Sequence, residues 1–170
     1  MSAHGVQLQQ PEMGARNLSV LLVEDSRVLA ERLRETLLSI PGVHLTGTVD
    51  SEADAVAALQ RQPVDVILLD LHLRQGTGFG VLRAIPADQV KRTVVIVLTN
   101  YDLAEYRRAA AALGARHFLD KLRDFDRLPV LLQQIGAEIG SDTDTDTDAD
   151  KSPTGGARDD GVRGKGDKLN

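Results

Sequence analysis

Leu18-Ser-Val-Leu-Leu-Val23 is an almost unbroken apolar run, closed by the acidic pair Glu24-Asp25 and followed by the helical pattern of Ser26 to Ile40. A strand with one wet face would alternate apolar and polar residues, whereas a continuous run suits a strand covered on both faces. The stretch after it places Val28, Leu29, Leu33, Thr36, Leu37 and Ile40 on one predicted stripe and stops before Pro41-Gly42. A buried strand followed by an amphipathic helix is one βα unit.

The same alternation recurs to about Gly140. Further strands are expected at Val43 to Val49, Val64 to Leu69, Val94 to Leu98 and Arg116 to Leu119. Ser51-Glu-Ala-Asp54 nearly matches a capping box at the start of a second helix, and Asp102-Leu-Ala-Glu105 offers a similar reciprocal start for a fourth. A short third helix is expected over about Phe79 to Ile85. Gly114 stands where the fourth helix needs a C-cap, and Pro129 falls in the first turn of a fifth helix carrying Leu131, Leu132, Ile135 and Ile139. Five βα pairs predict an α/β domain with a parallel five-stranded sheet between layers of helices, spanning residues 17–140.

The flanks read differently. Residues 1–16 are polar and show no apolar period, which predicts a disordered lead-in. Residues 141–170 begin Ser-Asp-Thr-Asp-Thr-Asp-Thr-Asp-Ala-Asp and carry 8 acidic and 5 basic side chains with almost nothing to bury, which predicts an acidic low-complexity tail. The alternating aspartates lack the glycine and glutamate of a calcium loop. With no cysteine, disulfides and thiolate metal sites are excluded, and without an apolar leader or span the expected compartment is the cytoplasm, not a membrane. A net charge of −5 with scattered Lys and Arg argues against direct DNA binding.

In an open parallel sheet, ligands gather beyond the carboxyl ends of the strands. There the sequence puts Glu24-Asp25 after the first strand, Asp70 after the third, Thr99 at the fourth and Lys121 beyond the fifth. Crowded carboxylates repel unless a hard cation offsets them, and Mg²⁺ takes one or two carboxylates with water. A carboxylate in such a pocket acts as nucleophile toward phosphorus, with metal and ammonium stabilising the transferred group. Each residue alone reads as a cap or a solvated charge; together, at four strand ends, they predict a Mg²⁺-dependent phosphoryl site.

The order Glu24-Asp25, Asp70, Thr99, Phe118 and Lys121, with Asp70-Leu-His-Leu preceding Gly76-Thr-Gly78, resembles the receiver domain of two-component response regulators across residues 17–140. That resemblance implies a flavodoxin-like (βα)5 three-layer sandwich with strand order 2-1-3-4-5. It implies that Asp70 accepts a phosphoryl group from a histidine kinase or histidine phosphotransfer protein. Mg²⁺ would be held by Glu24, Asp25, Asp70 and the backbone carbonyl of His72, with Glu24 acting through water. Lys121 would pair with the phosphoryl oxygens, and Thr99 and Phe118 would be the switch residues. The family also implies an output protein as partner, and it allows homodimerisation through the fourth-helix face. Two positions depart from the family pattern: Asn100 follows the switch hydroxyl where a small residue is usual, and Leu122 follows Lys121 where proline is common.

The expectation from sequence is therefore a stand-alone, non-enzymatic signalling receiver, with a phosphate sink or relay and a phosphorylation-independent interaction module as alternatives. No nucleophile-base pair or cofactor motif supports a metabolic enzyme. Gly76, Gly78 and Gly80 fail the GxGxxG pattern because Val81 holds the third position, and they read instead as flexible access beside Asp70. Tyr106-Arg107-Arg108 reads as a solvated helical face before it reads as a partner patch. His4, His44 and His117 have no zinc spacing.

Overall fold

The computed structural model describes residues 17–100 and 103–142. The expectations for residues 1–16 and for most of the tail lie outside that range. Five parallel strands form one sheet: β1 (Leu18–Val23), β2 (Val43–Val49), β3 (Val66–Leu69), β4 (Val94–Thr99) and β5 (Ala115–Asp120), in the order β2-β1-β3-β4-β5. Between and after them run α1 (Arg27–Ser39), α2 (Glu52–Arg61), α3 (Gly78–Ala84), α4 (Ala104–Ala112) and α5 (Leu128–Asp142), the last preceded by a 3-10 turn at Phe125–Arg127. The fold is flavodoxin-like, as expected.

The apolar runs are continuous because each strand feeds two cores. Leu18, Val20 and Leu22 of β1, Val66 and Leu68 of β3, and Val94, Ile96 and Leu98 of β4 face one side, where Leu33 and Leu37 of α1 and Leu128, Leu132 and Ile135 of α5 cover them. Leu21, Val23, Ile67, Leu69, Val95 and Val97 face the other, beneath Ala55 and Leu59 of α2, Val81 and Leu82 of α3, and Ala110 of α4. Burial on both faces fixes register, since a slip by one residue would exchange the two cores.

Several boundaries move for identifiable reasons. Val28, placed on the buried stripe by spacing, is 84% exposed; the buried positions of α1 are Ala30, Leu33 and Leu37, and Val28 lies round the helix from them. β3 begins two residues late, at Val66, and Asp65 just before it is bound to β1 through main chain and side chain alike, its N–H donating to the Ser19 carbonyl at 3.1 Å. Its Oδ2 accepts from the Ser19 N–H (2.8 Å) and the Ser19 hydroxyl (2.6 Å). The Ser51 cap of α2 is present, its hydroxyl accepting from the Asp54 N–H at 3.2 Å. α4 instead starts at Ala104 with Leu103 as an uncapped N-cap, and Asp102 of the expected box lies outside the described residues. Gly114 follows α4 at φ +98°, a backbone that L side chains rarely adopt, and α5 runs two residues past Gly140.

His117, half-buried on the edge strand β5, is held below the ordinary imidazole value by its burial and then by the Arg116 charge, with Glu138 opposing. A depressed imidazole means that the unfolded chain binds the proton more readily, so this contribution is complete above pH 6.5 and is lost as pH falls through the folded value. His117→Gln is expected to make the fall in melting temperature between about pH 8 and pH 5 shallower than in the parent chain. An unchanged slope in a pH series of thermal melts would contradict this.

Candidate functional site

The site lies where strand order reverses, between β1 and β3. Val23 pairs with Leu69, so the next residues, Glu24 and Asp70, leave adjacent strand ends together; the Asp70 N–H donates to the Val23 carbonyl at 3.0 Å. Both are buried, as is Lys121, at 2%, 6% and 6% exposure. The Lys121 ammonium lies between them, 2.7 Å from Glu24 Oε2 and 2.6 Å from Asp70 Oδ2. Carboxylate oxygens of Glu24, Asp25 and Asp70 come within 4.8 Å of one another.

The other oxygens are held by main chain. The His72 N–H donates to Asp70 Oδ1 (3.0 Å), and the Ser26 N–H donates to Glu24 Oε1 (3.1 Å). The Arg74 N–H donates to Asp25 Oδ2 at 3.0 Å, and the exposed Arg74 guanidinium stands 3.4 Å from the same oxygen. Burial raises the Glu24 carboxyl above its ordinary value, with the Asp70 charge pushing the same way and the bond to Lys121 opposing both. One buried ammonium and one exposed guanidinium therefore face three acidic groups. An all-oxygen donor set of this density fits a hard divalent cation, which Glu24, Asp25, Asp70 and the His72 carbonyl would hold.

Lys121 is presented by a turn built around Asp120. The Asp120 carboxylate accepts from the Leu122 and Arg123 N–H groups at 2.8 and 3.0 Å, and the Asp120 N–H donates to Asp124 Oδ2. Leu122 can donate that bond only because it is not proline. Thr99 is fully buried at the end of β4, paired with Asp120, and its carbonyl accepts from the Lys121 N–H at 3.0 Å. Glu24, Asp25, Asp70 and Lys121 thus meet as the sequence suggested.

Phe118 stands apart from the carboxylates, half-buried on β5. Arg107 lies 4.6 Å over its ring and donates to its carbonyl at 3.5 Å. Tyr106 makes ring contacts with His72 (5.5 Å) and Phe79 (5.9 Å). The Tyr106-Arg107 pair is therefore contact-making and half-buried, and of the three only Arg108 fits the solvated face expected from composition.

The glycines also differ from expectation. A Cβ on Gly78 would strike the Asp70 carbonyl oxygen and lie 2.7 Å from Leu71 Cα, so this glycine permits backbone contact, not flexible access. Sequence reasoning missed Asp120, Arg74 and the reach of Glu52, and it gave Arg107 no contact with Phe118. Asp120 carried a signal, since an aspartate at a strand end commonly accepts from N–H groups two and three residues on.

Two outcomes follow from this geometry. Lys121→Met leaves two buried carboxylates facing each other and is expected to cost about 3–5 kcal/mol at neutral pH, with part recovered on acidification as Glu24 takes a proton. Urea denaturation at neutral and mildly acid pH measures it, and equal losses at both would count against the pairing. Gly78→Ala is expected to cost about 1–3 kcal/mol from backbone overpacking, read in the same assay.

Similar proteins bear on these residues. The chain is 32% identical over 104 residues to protein-glutamate methylesterase/protein-glutamine glutaminase 5 of Myxococcus xanthus, covering 61% of this chain and 30% of that protein. It is 32% identical over 123 residues to the nitrate/nitrite response regulator protein NarP of Escherichia coli, covering 72% and 55%. The chain thus spans about a third of the methylesterase relatives' length and about half of NarP. Among solved structures, the response regulator domain of Thermotoga maritima CheB superposes with a TM-score of 0.61 at 24% identity, over 74% of this chain and 98% of that one. RcsB from Salmonella enterica, bound to promoter rprA with phosphomimetic BeF3−, gives 0.59 at 18% identity, over 68% and 67%. At those identities the structures speak for the fold alone. Residues 20–133 match the response regulator receiver domain, and with the acidic cluster at the switch point of a 2-1-3-4-5 sheet, the chain belongs to the receiver family of two-component signalling.

Proposed function

We propose that Asp70 is the phosphoacceptor of a Mg²⁺-dependent receiver, phosphorylated by a histidine kinase or histidine phosphotransfer protein and read by a protein partner. The observation that carries this reading is the buried Asp70 carboxylate, held from one side by the Lys121 ammonium at 2.6 Å and from the other by the His72 N–H at 3.0 Å. A fixed, partly neutralised carboxylate is pre-aimed for attack, with little reorganisation left to perform.

A carboxylate oxygen of Asp70 forms the new bond to phosphorus while the bond from phosphorus to the donor nitrogen breaks, and the leaving imidazole takes that electron pair. Asp25, Asp70 and the His72 carbonyl, with Glu24 through water, would hold Mg²⁺, which would neutralise charge on the transferred group. Lys121 exchanges its contact with Asp70 for one with a phosphoryl oxygen. Thr99 is buried one strand away with its carbonyl accepting from the Lys121 N–H, and its hydroxyl is the group proposed to answer the new charge. Phe118 then leaves the Arg107 contact, altering the surface that α4 and β5 share.

Only the receiver chemistry is proposed for the described residues. Among them, no helix is long and apolar enough to cross a membrane. Residues 17–140 are proposed as the receiver domain and residues 141–170 as an acidic low-complexity tail, with α5 running to Asp142.

Intact-mass analysis after incubation with acetyl phosphate tests this reading. One phosphoryl adduct is expected, requiring Mg²⁺ and abolished by Asp70→Asn and by chelation. An adduct retained in Asp70→Asn, or none within a time too short for hydrolysis, would overturn the assignment.

A further inference from the structure

Between Asp70 and α3 runs the segment 71–77, which carries the His72 carbonyl and the Arg74 N–H bound to Asp25. Its near end is fixed by Asp70 Oδ1 and Asp25 Oδ2. Its far end is fixed by one residue of another element, Glu52, the first residue of α2. The Glu52 N–H donates to the Gln75 carbonyl at 3.1 Å, and Glu52 Oε2 accepts from the Thr77 N–H at 2.7 Å. Thr77 in turn caps α3, its hydroxyl accepting from the Gly80 N–H at 3.0 Å.

The neighbouring glycines fit around this carboxylate. A Cβ on either Gly76 or Gly80 would strike the Glu52 side chain, and Gly76 also has φ +81°. Two of the three glycines therefore give one acidic side chain room to reach the loop. A carboxylate accepting from a main-chain N–H is among the stronger hydrogen bonds, and here it spans 25 residues of sequence.

We propose that Glu52 is a positioning residue for the cation at the Asp70 site: by clasping Gln75 and Thr77 it removes slack from segment 71–77, holding the His72 carbonyl and the Asp25 carboxylate ready for a divalent ion. The proposal rests on the Mg²⁺ reading above. Glu52 touches neither ion nor phosphoryl group and acts through the main chain. What it supplies is an acceptor oxygen, so glutamine can replace it and alanine cannot.

The test is Mn²⁺ titration of the full chain by electron paramagnetic resonance, with amide exchange followed at Thr77. Glu52→Ala is expected to bind Mn²⁺ about tenfold more weakly and to exchange the Thr77 N–H faster, while Glu52→Gln stays within about threefold of the parent. Parent-like affinity in Glu52→Ala overturns the proposal. So does Glu52→Gln binding as weakly as the alanine variant, since charge and not the clasp would then be responsible. A parent chain that takes up no Mn²⁺ contradicts the cation reading itself, and is distinguished because the parent signal is lost along with the variants'.

Discussion

The contact of the Lys121 ammonium with Glu24 and Asp70 is the interaction on which the rest of the site depends. Burying a carboxylate away from water is costly, and burying two side by side is more so, unless opposite charge and hydrogen bonds are supplied. Lys121 supplies the charge, and the N–H groups of Ser26 and His72 satisfy the remaining oxygens. The balance is incomplete, because Glu24 is still pushed toward its neutral form. A site in that condition gains by admitting further positive charge.

Everything that brings these groups together follows from the sheet. Three strands, β1, β3 and β4, feed apolar side chains to both cores and so lie between two layers of helix, and parallel strands end on the same edge. The residues that follow β1, β3 and β5 therefore emerge side by side, with Thr99 closing β4 among them. The Asp120 turn then determines that the residue pointing back into the pocket is Lys121. Arg107 ties α4 to Phe118 on the same strand, which gives a physical route from the pocket to the surface.

The parts of this arrangement legible in the sequence are those encoded by local pattern. β1, β3 and β4 announce themselves as continuous apolar runs, and the acids after β1 and β3 mark the pocket without any knowledge of register. What was illegible depends on contacts between distant residues. Spacing cannot tell that Asp65, just ahead of β3, serves Ser19 across 46 residues. Val28 satisfied a helical stripe, but only the crossing of α1 over the sheet decides that Ala30 is inside and Val28 is not. The glycines after Asp70 were visible as a cluster, yet their purpose lies in Glu52 and in the Asp70 backbone, neither adjacent in sequence.

The central claim is that charge placed on Asp70 is felt through Lys121 and Thr99 as far as Phe118. Amide NMR of the chain with Mg²⁺, before and after addition of beryllofluoride, measures this most directly. The account predicts resonance changes at His72, Thr99 and Lys121 that extend to Phe118 and Arg107, and that vanish in Asp70→Asn. Changes confined to the loop after Asp70, with β5 and α4 unmoved, would contradict it.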